Sequence, residues 1–376
     1  MKSLIGRSAA LLDRLFTLTH PAKVAAFGYL LYIVAGWLLL SLPFAQRGGT
    51  ATALDHLFIA TSAVSTTGLA TISVADSYTW FGQLVILLLI QLGGIGYMTF
   101  GSFVALSIRP QLSDSREKIG RTVFALPASF RMDKFIRSVV GFTVVIEVVG
   151  AAVLYPALVN AGAADPLWSA IFHSVSAFCT AGFSLYNDSF MSMAGNFWIN
   201  AILGALAYLG GIGFIVCIDF WRMLRGKSDR ITLTSKIILL TSFWIMVAGT
   251  LFLFLGEGTL ATLPPERRWL AALFQTMTAM TTVGFNTVDI GQFSNASLLL
   301  VVILMVIGAS PSGTGGGVKS TTLSALYGVM RSSLRGERVV RFWGNPIPDE
   351  RVWSAMAAFS FYMATLVAGT WLLELT

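Results

Sequence analysis

Residues 274–285 read FQTMTAMTTVGF, and two earlier stretches carry the same pattern: FIATSAVSTTGL at 58–69 and FHSVSAFCTAGF at 172–183. Each is an apolar segment that runs into hydroxyl-bearing or small residues and then one glycine: Gly68, Gly182 and Gly284, spaced 114 and 102 residues apart. The similarity extends outward. QLGGIGYM (91–98) and YLGGIGFI (208–215) follow the first two glycines at matching distances, and VIGAS (306–310) holds that place after the third. Aligned elements recurring at about 110 residues indicate an internally repeated architecture.

The composition supplies the solvent. Of 376 residues, 55% are hydrophobic and 11% charged, against about 25% charged in soluble domains. A chain so poor in charge cannot cover a globular surface with polar groups, so lipid surrounds it. Apolar runs place spans at 23–44, 79–107, 135–158, 195–222, 233–256, 294–330 and 351–374, each long enough for a hydrocarbon core of about 30 Å. Between the members of each pair lies a segment too short to cross and too apolar for a loop: Leu57–Val64, Leu167–Phe178 and Trp269–Met280. Segments of that length read as re-entrant. The expected fold is all-α and integral to the membrane, with about seven transmembrane helices and three re-entrant pore helices. Its units are 23–107, 135–222, 233–330 and the first span of a fourth at 351–376, with an N-terminal segment at 1–22 and a loop at 108–134.

The net charge of +7 does not call for a nucleic-acid partner. The basic residues cluster in alternate loops: Arg109 to Arg137, Arg222 to Lys236, and Arg331 to Arg341. By the positive-inside rule these loops and the N-terminus face the cytoplasm, which fits a bacterial inner membrane. No cleavable signal peptide is expected, because Arg7, Asp13 and Arg14 interrupt the first 20 residues.

Non-helical backbone at membrane depth is tolerated where it is buried or lines a water-filled cavity. Glycine supplies the backbone angles such a segment needs and lets carbonyls from neighbouring segments converge. A ring of carbonyls replaces the hydration shell of potassium in known filters, and the preceding short helix points its partially negative end at the same place. The candidate filter residues are Thr66, Thr67 and Gly68; Thr180, Ala181 and Gly182; and Thr282, Val283 and Gly284. The competing reading of any one copy is a small-residue helix-packing motif. Three copies behind short apolar segments favour the filter. For the GGIG motifs at Gly93–Gly96 and Gly210–Gly213, close helix packing is the expectation.

The sixth span contains IGASPSGTGGGVKSTT (307–322), whose middle cannot be a regular helix. Pro311 removes a donor, and Gly313, Gly315, Gly316 and Gly317 each cost about 1 kcal/mol of helix propensity. Lys319 follows at or near membrane depth, where an ionisable group is a functional candidate. A gating loop of Gly313, Gly315, Gly316, Gly317 and Lys319 is the expectation. Its alternative is a lysine that snorkels to the interface. A nucleotide P-loop is excluded, because Val318 stands between the glycines and the lysine. His20, His56 and His173 are scattered, Cys179 and Cys217 stand alone, and no nucleophilic or acid–base constellation supports an enzyme. Glu147, within the third span, reads as a pore-side or inter-helix group.

The motifs STTGL, CTAGF and TTVGFNT, followed by IGASPSGTGGGVKSTT, resemble the Trk/Ktr/HKT superfamily of potassium uptake proteins, over essentially the whole chain and most closely the membrane subunit of bacterial Ktr systems. The resemblance implies four span–P-loop–span units around one pore, with Gly68, Gly182 and Gly284 as the first three filter glycines and the Gly-rich stretch as a gating loop. It also implies a homodimer in the lipid bilayer, a cytoplasmic nucleotide-binding regulatory ring as partner, and potassium as the permeant ion, with sodium dependence in some members. Any nucleotide would belong to that partner, and no cofactor is expected in this chain. A fourth filter would fall near position 394, so the expectation here is a truncated fourth unit. The alternatives are a non-conducting subunit or fragment, and a secondary transporter of another solute. The latter expects inverted repeats and anchoring charges at mid-membrane, whereas these repeats are parallel.

Overall fold

The computed structural model describes residues 21–49, 51–96, 132–226, 230–337, 339–342 and 345–375. The N-terminal segment before Pro21, the end of the second span expected to reach 107, and nearly all of the loop expected at 108–134 lie outside them. The chain divides into two units, residues 1–207 with 283–287, and residues 208–282 with 288–376.

The first unit contains α1 (Pro21–Leu40), α2 (Ala53–Val64), α3 (Val74–Ser77), α4 (Trp80–Ile95), α5 (Met132–Asn160), α6 (Pro166–Phe178) and most of α7 (Phe197–Gly211). α2 packs against α1 and α4, and α6 lies along α5. Local chemistry fixes where the two short helices begin. Thr52 and Asp55 form a reciprocal capping box at the start of α2, each side chain receiving the other's backbone N–H. α6 starts with Pro166, whose missing N–H is one of the donors a helix start leaves unpaired.

The second unit contains α8 (Phe214–Leu224), α9 (Leu233–Gly256), α10 (Gly258–Ala261), α11 (Pro265–Thr281), α12 (Asn295–Val306) and α13 (Ser320–Leu334). A two-residue antiparallel pair follows, β1 (Arg341–Phe342) with β2 (Asn345–Pro346), and then α14 (Asp349–Glu374). α11 packs against α9 and α12, and α13 packs against α9 and α14. Leu253, Leu260, Ala271, Ala272 and Phe293 form a core where α9, α10 and α11 meet.

Among the described residues, three helical stretches are long and apolar enough to cross a membrane: Ile136–Asn160, Leu233–Gly256 and Asp349–Glu374. Their outer faces suit lipid. Ala355 is the one buried residue of α14, while Val145, Val148 and Val149 on α5 and Trp244 and Leu255 on α9 are exposed.

Two expected spans are not continuous helices. The stretch expected at 195–222 is α7 and α8, bent by 98°. The break falls at the end of GGIG, where Gly213 has φ +86°, a value that favours glycine. In the first repeat α4 likewise stops at Ile95, and Gly96 has φ +82°. The stretch expected at 294–330 consists of α12, a non-helical segment at 307–319, and α13. Its interruption falls on the Pro- and Gly-rich stretch whose helix propensity is poorest.

Candidate functional site

The three Thr-x-Gly segments share one backbone conformation. Thr66, Thr180 and Thr282 have φ of 51°, 51° and 59°, and Gly68, Gly182 and Gly284 have φ of 81°, 70° and 85°. In an ordinary extended strand successive carbonyls alternate sides. Left-handed residues stand on either side of Thr67, Ala181 and Val283, which breaks that alternation. Positive φ in a β-branched residue is a genuine outlier, and here the same hydroxyl bond accompanies it each time. Thr66 Oγ1 donates to the Ser65 carbonyl (2.8 Å), Thr180 Oγ1 to Cys179 (2.7 Å), and Thr282 Oγ1 to Thr281 (2.6 Å). The helices end alike too: the N–H groups of Thr66, Thr180 and Thr282 donate to the carbonyls of Ala63, Ala177 and Ala279 at 3.0–3.2 Å.

The glycines sit against each other's segments within the first unit. A Cβ on Gly68 would run into the Ala181 carbonyl, and a Cβ on Gly182 into the Val283 carbonyl. The first segment therefore abuts the second and the second abuts the third, with Gly68 and Gly182 each admitting the carbonyl of the next. The GGIG motifs pack in the same rotational sense. A Cβ on Gly94 would stand 2.5 Å from Cys179 Sγ, and one on Gly211 would stand 3.1 Å from Thr281 Cγ2. Cys179 and Thr281 hold the same place, three residues before a filter glycine. Close packing at GGIG is thus present alongside the bend.

Side chains behind the second segment hold it. His173 is fully buried, stacked on Tyr186 and edge-on to Phe190 and Phe285. The Leu185 N–H donates to His173 Nε2 (3.1 Å), so Nδ1 carries the proton and reaches the Ser169 carbonyl at 2.8 Å. Ser176 Oγ donates to the Phe183 carbonyl (2.8 Å). Glu147 is an inter-helix group: Gln91 Nε2 donates to its Oε2 (3.0 Å), and Cys179 Sγ lies 3.6 Å from its Oε1. Sequence reading treated the histidines as scattered. The available signal for His173 was a lone histidine about two helical turns before Thr180 in a largely apolar segment.

The Gly-rich stretch folds back within the second unit. Gly211 and Gly210, at the break of α7, present carbonyls to the N–H groups of Ser310 (3.0 Å) and Thr314 (3.1 Å), and the Phe214 N–H donates to Ser312 (3.1 Å). The Gly316 N–H donates to Thr282 Oγ1 (2.7 Å), and Lys319 Nζ donates to the Gly315 carbonyl (2.7 Å). Glycines are required where backbones meet. A Cβ on Gly313 would be 2.7 Å from the Gly211 carbonyl, and one on Gly315 would run into the Ala309 side chain. The bond from Lys319 to Gly315 closes the loop on itself. No cluster of three or more His, Cys, Asp or Glu suited to a metal occurs among the described residues.

The TrkH family, described as cation transport protein, matches residues 28–372. The chain belongs to that family. The Ktr system potassium uptake protein B of Vibrio alginolyticus is 31% identical over 359 residues, covering 94% of this chain and 78% of that protein. The potassium/sodium uptake protein NtpJ of Enterococcus hirae is 33% identical over 361 residues, covering 95% and 79%. The crystal structure of the potassium transporter TrkH from Vibrio parahaemolyticus matches with a TM-score of 0.73 at 20% identity, over 93% of this chain and 71% of that one. This TrkH-family chain is therefore a largely helical integral membrane protein of a family that transports cations and is not enzymatic.

Proposed function

We propose that this chain takes up potassium across the bacterial plasma membrane through a channel-like pore. Its filter comprises Thr66–Gly68, Thr180–Gly182 and Thr282–Gly284. The observation that carries this reading is the threefold recurrence of one unusual backbone, left-handed at the threonine and again at the glycine, with each of the first two glycines admitting the next segment's carbonyl. Carbonyl oxygens so arranged suit a dehydrated monovalent cation. The relatives' names support potassium, and the name of the Enterococcus hirae protein supports sodium as a second ion. The proposed architecture is seven spans and three re-entrant pore helices with the N-terminus inside. Gly313, Gly315, Gly316, Gly317 and Lys319 form the gate, latched to the filter at Thr282 and closed on itself by Lys319. A homodimer with a cytoplasmic nucleotide-binding regulatory ring is the proposed working assembly.

The test is growth of a potassium-uptake-deficient bacterium at limiting potassium, with rubidium uptake measured in the same cells. Rescue by the chain, lost in a membrane-inserted Gly182→Ala variant, supports the reading. Membrane-inserted chain that gives neither rescue nor rubidium uptake rejects it.

A further inference from the structure

The second unit contains a cavity of about 1240 Å³ bounded by α9, α13, α14 and β1. That exceeds the roughly 300–1,000 Å³ of ordinary small-molecule sites. Its walls are apolar along α9 and α13, with Leu240, Trp244, Leu323 and Tyr327 among the lining and Phe359 contributed by α14. At one end stand Arg331, Arg335 and Arg341. All three are exposed, and none of their side chains has a hydrogen-bond or ion-pair partner among the described residues. Glu337 is the one acidic residue of the lining, so cationic charge dominates that end.

The placement of these groups identifies the occupant. Arg331 and Arg335 stand at the C-terminal end of α13, and Arg341 opens β1, shortly before α14, a helix long and apolar enough to cross a membrane. The start of a helix long enough to cross the bilayer lies near its surface, so the arginines clustered just before α14 belong at headgroup level. Leu323 is eight residues before Arg331 on the same helix, roughly 12 Å deeper at 1.5 Å per residue. Trp244 and Tyr327 are exposed on the flanking helices. An apolar trench that opens toward lipid and ends under three guanidiniums complements one class of molecule, with acyl chain below and phosphate above. A soluble anion gains nothing from the apolar walls. Basic sites between helices on the cytoplasmic side attract anionic headgroups, and the basic loops of this chain place that side here.

We infer that this groove is a binding site for an anionic phospholipid of the inner leaflet, its phosphate held by Arg331, Arg335 and Arg341 and its acyl chain lying between α9 and α13. The site belongs to the second unit alone and is separate from the filter.

The full chain in neutral detergent is titrated with dioleoylphosphatidylglycerol and, separately, dioleoylphosphatidylcholine, and bound lipid is counted by native mass spectrometry. Phosphatidylglycerol is expected to be retained preferentially. Each arginine near an anionic surface contributes roughly fivefold in affinity, so the triple variant Arg331→Gln/Arg335→Gln/Arg341→Gln should bind it on the order of a hundredfold more weakly. Equal retention of the two lipids, or a triple variant that keeps the preference, overturns the inference. A second measurement needs no arginine change. Phosphatidylglycerol with brominated acyl chains should quench a fluorescence component that is absent in Trp244→Phe, and glycerol phosphate should not relieve the quenching. Full competition by glycerol phosphate would show a phosphate site without a lipid. A polypeptide cross-linked at Tyr327 in place of lipid would show a protein-docking face. Either result rejects the lipid site.

Discussion

At the scale of single residues, a left-handed threonine is an expense that most proteins avoid. Left-handed backbone costs a β-carbon-bearing residue about 1–2 kcal/mol, and strained conformations persist where the surroundings over-determine them and cluster at functional sites. Thr66, Thr180 and Thr282 meet that condition together, each with the same hydroxyl bond to the preceding carbonyl. The glycine two positions on is required for its φ, and at Gly68 and Gly182 also for the carbonyl beside it. Gly182→Ala should therefore lower rubidium uptake by at least about tenfold, since a strain of 1–2 kcal/mol is already a factor of about ten and the clash with Val283 adds to it. Uptake equal to the parent at equal membrane abundance would mean that Gly182 does not border the ion path. The glycines were legible because spacing and flanking hydroxyls repeat. The left-handed threonines were not, because threonine is a common strand and loop residue and nothing in its identity announces its φ.

At the scale of elements, the bend between α7 and α8 matters most. Hydropathy reads 195–222 as one apolar run, and apolarity carries no information about direction. The structure turns it by 98° at Gly213, and the carbonyls freed there, at Gly210 and Gly211, accept from Thr314 and Ser310 of the Gly-rich loop. One repeat's break is thus the seat of another repeat's loop. A Cβ on Gly213 would stand 2.5 Å from Ser310 Oγ and 2.6 Å from the Pro311 carbonyl. Gly213→Ala should loosen the loop, as should Lys319→Ala by removing its bond to Gly315. In the proposed gate both raise potassium flux, and the double variant should raise it by less than the product of the two, because coupled sites are not additive. Flux unchanged in both single variants would dismiss the gate.

A second element-scale link is Glu257, just past the end of α9. It accepts from Thr259 N–H and Oγ1 and from Ser294 N–H and Oγ, each at 3.0 Å, tying α9 and α10 to the start of α12. Burial alone would raise its carboxyl, but hydrogen bonding involving Ser297, Thr259 and Ser294 outweighs burial and lowers it to about 2. A depressed carboxyl contributes stability that is fully present above its unfolded value, near 4.3, and is lost as pH falls toward about 2. Thermal unfolding of the detergent-solubilised chain should therefore weaken across that acid window, and Glu257→Gln should flatten the dependence while lowering stability at neutral pH. An identical acid profile in the variant would remove Glu257 as its cause.

At the scale of the whole molecule, the charges outside the apolar runs decide which way the chain lies in the bilayer. Arg222, Arg225, Lys227, Arg230 and Lys236 cluster around one connection, and Arg331, Arg335, Arg338 and Arg341 around another, while the connection between α5 and α6 has no Lys or Arg. Short loops rich in Lys and Arg are retained on the cytoplasmic side. In the proposed architecture α6 and α11 are re-entrant and enter and leave on one side, so the loops at Ala164 and Arg267 should both be external, and those at Arg225 and Ser333 both internal. All four positions have exposed or accessible side chains, and Cys179 is fully buried, which keeps background labelling low once Cys217 is replaced by alanine. A membrane-impermeant maleimide applied to intact cells should then label Ala164→Cys and Arg267→Cys, and label Arg225→Cys and Ser333→Cys only after permeabilisation. Labelling of Ser333→Cys in intact cells would turn the third repeat over. It would also move the arginine-lined groove to the opposite leaflet, so the same four variants fix where an anionic lipid must approach the chain.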